Sequence, residues 1–214
     1  MIKNVLFDLD GTLLDPKVGF VKCIEYALEN LGVKTQEDIA SFIGPPLHTT
    51  LATLLKTEDK NLVNRAIELY REKYDGDGMY ENLVYPGIPE LLERLKKQNH
   101  TLFVATSKPE AFATEILVHF GFDKFFKGIY GSQLTGELTD KGELISYLLQ
   151  IEKLNPNECI MIGDRRFDLI GAQKNQMRSI GVLWGYGSEK EIVDQKPQFI
   201  VKLPHEIEKI VLEN

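Results

Sequence analysis

The segment Asp8-Leu9-Asp10-Gly11-Thr12-Leu13 sets two carboxylates one residue apart at the end of a short apolar run. One carboxylate can attack phosphorus as a nucleophile while its neighbour protonates a leaving alkoxide and later deprotonates water. Gly11 permits the sharp turn that lets both acids face one site. Two like charges at such spacing call for a cation. Magnesium favours oxygen ligands and keeps several waters, so Asp8, one more carboxylate and a backbone carbonyl would hold it. By itself the pair also reads as solvated acids or a helix cap, so its meaning depends on the rest of the chain.

Two further clusters carry the same chemistry. Val104-Ala105-Thr106-Ser107-Lys108-Pro109 ends another apolar run, and the Thr106 hydroxyl with the backbone N–H groups around Ser107 suits a phosphate oxygen at a helix N-terminus. Either residue alone reads as a plain N-cap. Ile162-Gly163-Asp164-Arg165-Arg166-Phe167-Asp168 follows a third run. Asp164 would complete a magnesium shell, and Asp168 would stand behind it, paired with Lys141 or supporting a metal-bound water. Lys141 opens a helix in Thr139-Asp140-Lys141-Gly142, where the macrodipole disfavours a cation unless an anion lies close. Alone, Lys141 reads as a surface lysine and Asp168 as an acid suited to a helix N-terminus. Lys108, Arg165 and Arg166 read as solvated or structural and stay off the catalytic set.

The elements that must position these groups are legible as apolar runs of strand length at Val5 to Phe7, Leu102 to Ala105, Ile160 to Ile162 and Ile180 to Leu183. Helical stripes lie between the later three, including Phe112, Ile116 and Leu117, then Leu144, Ile145, Leu148 and Leu149. The alternation predicts an α/β doubly wound parallel sheet, in which ligands bind beyond the carboxyl ends of the strands. One interval breaks it. After the first strand the chain reads as helix after helix until residue 101: a stripe from Phe20 to Leu31 ended by Gly32, a short helix through Phe42 with Thr35 and Asp38 as a capping box, then Leu47 to Leu55 and Leu62 to Tyr74. Residues 15–83 are therefore expected to be a helical cap domain inserted after the first strand, with 1–14 and 84–214 forming the core. Its linkers, 14–17 and 80–87, are expected to act as hinges. Phe199 to Val201 and the amphipathic stretch to Leu212 are expected to add an edge strand and a closing helix.

Composition narrows the partners. With 214 residues, 43% hydrophobic and 27% charged, the chain has the balance of a soluble globular protein. A net charge of -7 supplies no basic field for a nucleic-acid polymer or an anionic membrane. No apolar run approaches the roughly 18 residues of a membrane span. Cys23 and Cys159 lack metal or disulfide spacing and read as reduced core thiols. A cytoplasmic protein acting on a small phosphorylated metabolite, as monomer or homodimer, is the expectation.

At this point the chain resembles the haloacid dehalogenase superfamily, in the phosphoglycolate phosphatase-like and 5'-nucleotidase-like branch with a helical cap. The resemblance rests on Asp8-Leu9-Asp10-Gly11-Thr12, Thr106, Lys141, and Gly163-Asp164 with Asp168, in that order. It implies a Rossmann-like core, a Mg2+ cofactor and an aspartyl-phosphate intermediate. Asp8 would be the nucleophile, Asp10 the general acid and base, and Lys141 the charge stabiliser. Thr106, Ser107 and Gly11 would bind the phosphate, and Asp8, Asp10 and Asp164 the metal. An acid at Asp10 disfavours dehalogenation, which in this superfamily proceeds without it. Ile43-Gly44-Pro45-Pro46-Leu47 and Trp184-Gly185-Tyr186-Gly187 look like segments of phosphoglycolate phosphatases and 5'-nucleotidases. Pro16 and Gly142 depart from the Ser and Pro frequent there and bear on substrate choice. A small-phosphomonoester phosphatase of the phosphoglycolate type is the leading expectation. A 5'-nucleotidase, a β-phosphoglucomutase-type phosphomutase and a non-catalytic phosphate sensor are its alternatives.

Overall fold

The computed structural model describes all residues, 1–214, as two compact units. One comprises Met1–Asp15 and Val84–Asn214, the other Pro16–Leu83. In the first, strands β1 (Asn4–Phe7), β4 (Thr101–Pro109), β5 (Phe126–Ser132), β6 (Cys159–Gly163), β7 (Arg178–Val182) and β8 (Phe199–Val201) form a six-stranded sheet of order β5-β4-β1-β6-β7-β8. Every pairing is parallel. This is the α/β doubly wound sheet expected from the alternation. Two short strands, β2 (Leu14–Asp15) and β3 (Leu83–Val84), make a separate two-stranded sheet.

The chain runs outward from β1 through β4 to β5, then crosses back to β6 on the other side of β1 and continues to β8. The order reverses between β1 and β6, and such a switch point opens a crevice at the carboxyl ends of the strands. Phe7 pairs with Val104 on one side and Ile162 on the other, so the residues that follow these three positions emerge side by side.

Helices cover both faces because every side chain of β1 and β6 is buried and neither face can meet water. α4 (Ile88–Lys97), α5 (Glu110–His119), α6 (Lys141–Glu152), α7 (Arg166–Lys174), α8 (Glu189–Asp194) and α9 (His205–Glu213) supply that cover. On one face the α6 stripe Leu144, Ile145, Leu148 and Leu149 packs with Leu6, Phe103, Ala105 and Met161 of the sheet. These are alternate residues of their strands, as a two-residue period requires.

β5 was not foreseen. Its sequence, Phe-Lys-Gly-Ile-Tyr-Gly-Ser, is interrupted by glycines and mostly half-buried, so it has no apolar run to read. Tertiary pairing with β4 makes it a strand, and Gly131 is required there: a Cβ would meet the carbonyl oxygen of Lys108 at 2.5 Å. β4 also runs beyond its apolar stretch to Pro109, and α5 begins at Glu110. Thr106 and Ser107 are therefore strand residues, not helix caps.

The second unit holds α1 (Lys17–Asn30), α2 (Leu47–Leu55) and α3 (Lys60–Tyr74) with two short 3-10 turns. Gly32 ends α1 with φ +68, and the Gly32 and Val33 N–H groups donate back to Glu29 and Leu28. The Thr35 capping box is not formed. Asp38 caps a single 3-10 turn, Ile39–Phe42, by accepting from Ala40 N–H, while Thr35 accepts from Glu37 N–H in a local turn. No helix is long and apolar enough to cross a membrane.

Candidate active site

Asp8 leaves β1 directly into the crevice, tied to the neighbouring strand by its N–H to the Ile162 carbonyl at 2.9 Å. Asp164 leaves β6 beside it, and Asp168 rises from the first turn of α7. Their carboxylates lie within 4.8 Å of one another and all three are buried. Into this cluster reaches Lys141, from the N-terminus of α6. Its ammonium stands 2.9 Å from Asp8 Oδ1, 2.8 Å from Asp168 Oδ1 and donates to the Ala105 carbonyl at 2.8 Å. The cation at an unfavourable helix position thus has two carboxylates and a carbonyl as its reason for being there.

Each ionisation is displaced by this crowding. Burial, then the charges of Asp8 and Asp168, raises Asp164 well above the ordinary carboxylate range. Burial and Asp8 raise Asp168 to about 6, against the pull of Lys141. For Lys141 burial lowers the pKa, but Asp168 and Asp8 outweigh it and hold the ammonium protonated above the usual lysine value. Three buried acids with one buried base leave an excess of negative charge, and the oxygen-only donors match a hard divalent cation.

Asp10 stands outside that carboxylate cluster. Its Oδ2 takes an ion pair from Lys108 at 2.9 Å, and its Oδ1 is buried without a hydrogen-bond partner. Burial raises its pKa more than Lys108 lowers it. Lys108 thus engages the Asp10 carboxylate on the side away from the Asp8, Asp164 and Asp168 cluster. Lys108, which reads as solvated or structural in the sequence, is not solvated: it is largely buried against Asp10, and its place two residues after Thr106, at the end of the strand beside β1, is the signal available for it.

Gly11 carries φ +86, and a Cβ there would fall on the Asp164 carboxylate. Thr12 Oγ1 donates to Asp164 Oδ1 at 3.3 Å. Thr106 is buried, and its Oγ1 accepts from Lys108 N–H at 3.2 Å. Ser107 lies beside it, with its carbonyl taken by Ser132 Oγ at 2.9 Å. Asp168 also accepts from Arg165 N–H at 3.2 Å, so it serves its helix terminus and Lys141 together. Arg165 and Arg166 are held by Glu191 through side chain and backbone respectively. The Trp184-Gly185-Tyr186-Gly187 loop packs against Asp164: Tyr186 N–H donates to Asp164 Oδ2 at 2.7 Å.

Residues 5–182 match the haloacid dehalogenase-like hydrolase family, and the chain belongs to it. It is 49% identical to a 5'-nucleotidase of Pseudomonas aeruginosa over 91% of this chain and 88% of that one. It is 36% identical to the tyrosine-protein kinase PtkA of Mycobacterium tuberculosis, over 92% and 67%. A phosphoglycolate phosphatase of Vibrio parahaemolyticus is 26% identical, over 98% and 96%. The crystal structure of a predicted phosphatase from Clostridium acetobutylicum superposes with a TM-score of 0.95 at 39% identity, covering 100% of both chains. The protein is an enzyme of this hydrolase family, a haloacid dehalogenase-type phosphatase.

Proposed function

We propose that the protein hydrolyses small phosphomonoesters with magnesium, through a phosphoryl group carried transiently on Asp8. The observation that carries this reading is the buried meeting of Asp8, Asp164 and Asp168 with Lys141 at the switch point of the sheet. The donor set fits the cation: carboxylates of Asp8 and Asp164 would hold it, with Asp10 entering through its main-chain carbonyl because Lys108 engages its side chain. When bound, the ion neutralises phosphate charge and lowers the repulsion between nucleophile and ester.

Asp8 attacks phosphorus and the bond to the ester oxygen breaks. Asp10, raised in pKa by burial, gives its proton to the departing alkoxide, which leaves as an alcohol. Asp10, now a carboxylate, takes a proton from water. The resulting hydroxide attacks phosphorus, and the bond to Asp8 breaks to release inorganic phosphate. Lys141 stabilises charge on Asp8 through both steps, Asp168 holds Lys141 in place, and Thr106 with Ser107 N–H would face the phosphate oxygens. Residues 16–83 form the cap domain in this reading.

Nucleoside 5'-monophosphates stand first as substrate class and phosphoglycolate second. This reverses the order expected from the sequence, since the likeness is greater to a protein named 5'-nucleotidase than to one named phosphoglycolate phosphatase. The test is phosphate release from a panel of both classes and of hexose phosphates, with and without a chelator. Release that persists undiminished in excess chelator, or isomerised sugar phosphate without free phosphate, defeats the hydrolase reading. The likeness to a tyrosine-protein kinase favours one second reading, transfer to a protein hydroxyl. Labelled phosphate passing from ATP to a tyrosine at a rate exceeding hydrolysis would establish that instead.

A further inference from the structure

The loop from Trp184 to Gly187 is held at three points, two on the chain that follows the first acidic pair and one on Asp164. Trp184 Nε1 donates to the Thr12 carbonyl at 3.1 Å, Tyr186 N–H donates to Asp164 Oδ2 at 2.7 Å, and the Tyr186 phenol donates to Asp15 Oδ1. The spacing between the two loops leaves no room for side chains. A Cβ on Gly185 would collide with the Asp164 carboxylate and the Gly11 carbonyl oxygen, and one on Gly187 with the Asp164 carbonyl oxygen. Gly185 and Gly187 thus let the backbone close on Asp164, while the two aromatic residues between and beside them tie it to the opposite loop.

Asp164 sits fully buried, with few partners to choose its rotamer. Its Oδ1 takes a long bond from Thr12 at 3.3 Å, whereas Oδ2 takes the shorter one from Tyr186 N–H at 2.7 Å. The stronger constraint is a backbone group, so its place depends on whatever fixes the loop. The phenol of the same residue does that by reaching Asp15. Tyr85 adjoins this bond: its phenol is hydrogen-bonded with that of Tyr186, and burial and Asp15 raise both phenols above the ordinary tyrosine range, so both keep their protons.

We infer that Tyr186 and Asp15 are positioning residues for the metal ligand Asp164, their side-chain hydrogen bond fixing the loop whose backbone N–H orients that carboxylate. The inference rests on the proposed metal role of Asp164 and deepens it. Hydrogen bonds that orient a metal ligand from behind typically carry ten- to hundredfold in metal affinity. A bond that only stabilises the fold would leave that affinity unchanged in the folded protein.

The experiment measures Mn2+ binding to the metal-free full-length protein by electron paramagnetic resonance, beside the Mg2+ concentration that gives half-maximal turnover. Tyr186→Phe removes the phenol bond and keeps the N–H donor. Its Mn2+ dissociation constant is expected to rise about tenfold, with a matching shift in Mg2+ activation and a far smaller loss of kcat at saturating Mg2+. Asp15→Ala, which removes the acceptor, is expected to do the same, and the double variant no worse than either single one, because both remove one bond. Binding by Tyr186→Phe within twofold of the parent, while Asp164→Asn loses binding, overturns the inference and leaves the metal reading intact. Unaltered Mn2+ binding by Asp164→Asn overturns the metal reading, and the inference with it.

Discussion

The core unit and the inserted helical unit bury similar kinds of apolar side chain but treat charge in opposite ways. Asp8, Asp164, Asp168 and Lys141 are buried in the core, whereas the buried polar side chains of residues 16–83 are only Thr50 and Asn82. Of the ion pairs within the insertion, Arg65–Glu68 lies in solvent and Lys22–Glu81 is partly exposed. Helices α1 and α3 bury Ile24, Ala27, Leu28, Val63, Ala66 and Leu69, and no charged residue of the insertion is among the buried ones. The core instead keeps carboxylates together at a cost in desolvation and repulsion. That contrast locates the chemistry: a fold tolerates such a cluster where something else, substrate phosphate or cation, completes it.

The contrast can be broken most severely at the nucleophile. Asp8→Asn is expected to lower kcat by about 10^4-fold or more, since no other group reaches phosphorus in its place. Circular dichroism should show the fold retained. Turnover within tenfold of the parent, in protein free of contaminating phosphatase, would remove Asp8 from the mechanism.

The next largest effect falls on stability. Lys141→Met leaves Asp8 and Asp168 buried without their cation and is expected to destabilise the metal-free protein by about 3–5 kcal/mol. Urea titration in chelator reads this directly, and a loss below about 1 kcal/mol would mean that the cluster relaxes by neutralising itself.

A third expectation concerns pH. Asp164 and Asp168 hold their protons more tightly folded than unfolded, where each titrates near 3.8. Between that value and about 6, the unfolded chain has released protons that the folded one retains, so raising the pH favours unfolding. Metal-free stability contributed by these groups is therefore full below about pH 4 and lost as the pH rises through about 6 and beyond. Asp164→Asn should flatten this fall and stabilise the metal-free protein at pH 7, and added Mg2+ should stabilise the parent but not the variant. Thermal midpoints across pH 4 to 8 decide it, and a parent more stable than Asp164→Asn at pH 7 without metal would refute it.

At the far end of the scale, Arg65→Ala on the insertion removes an ion pair with both side chains more than half exposed. Its effect on stability is expected to be about 0.5 kcal/mol or less, with kcat unchanged. A larger change would show that the insertion too depends on its charges.

How much could be read in advance varies residue by residue. α2 is found at Leu47–Leu55, where its apolar spacing placed it, because a helix is specified by neighbours three and four apart. Asp8 and Asp164 were legible as strand-end acids for a similar reason, since buried strands announce themselves as apolar runs. β5 was hidden because its strand character comes from β4 rather than from its own residues. Whether Lys108 is solvated or structural was not legible, because nothing in Thr-Ser-Lys-Pro says which way a lysine turns, and its partner Asp10 follows the adjacent strand.

The amino-acid sequence by itself therefore determined the local elements and the order of the acidic, hydroxyl and basic groups at their ends. It also determined Gly11 as a turn, because backbone geometry there depends on one residue type. Only the tertiary structure decided which of those groups meet: Lys141 with Asp8 and Asp168, Lys108 with Asp10, Tyr186 with Asp15 and Asp164. The physical reason is that strand order in a sheet is chosen by burial across the whole molecule. Placing β1 between β4 and β6 brings together carboxylates that lie more than 150 residues apart along the chain.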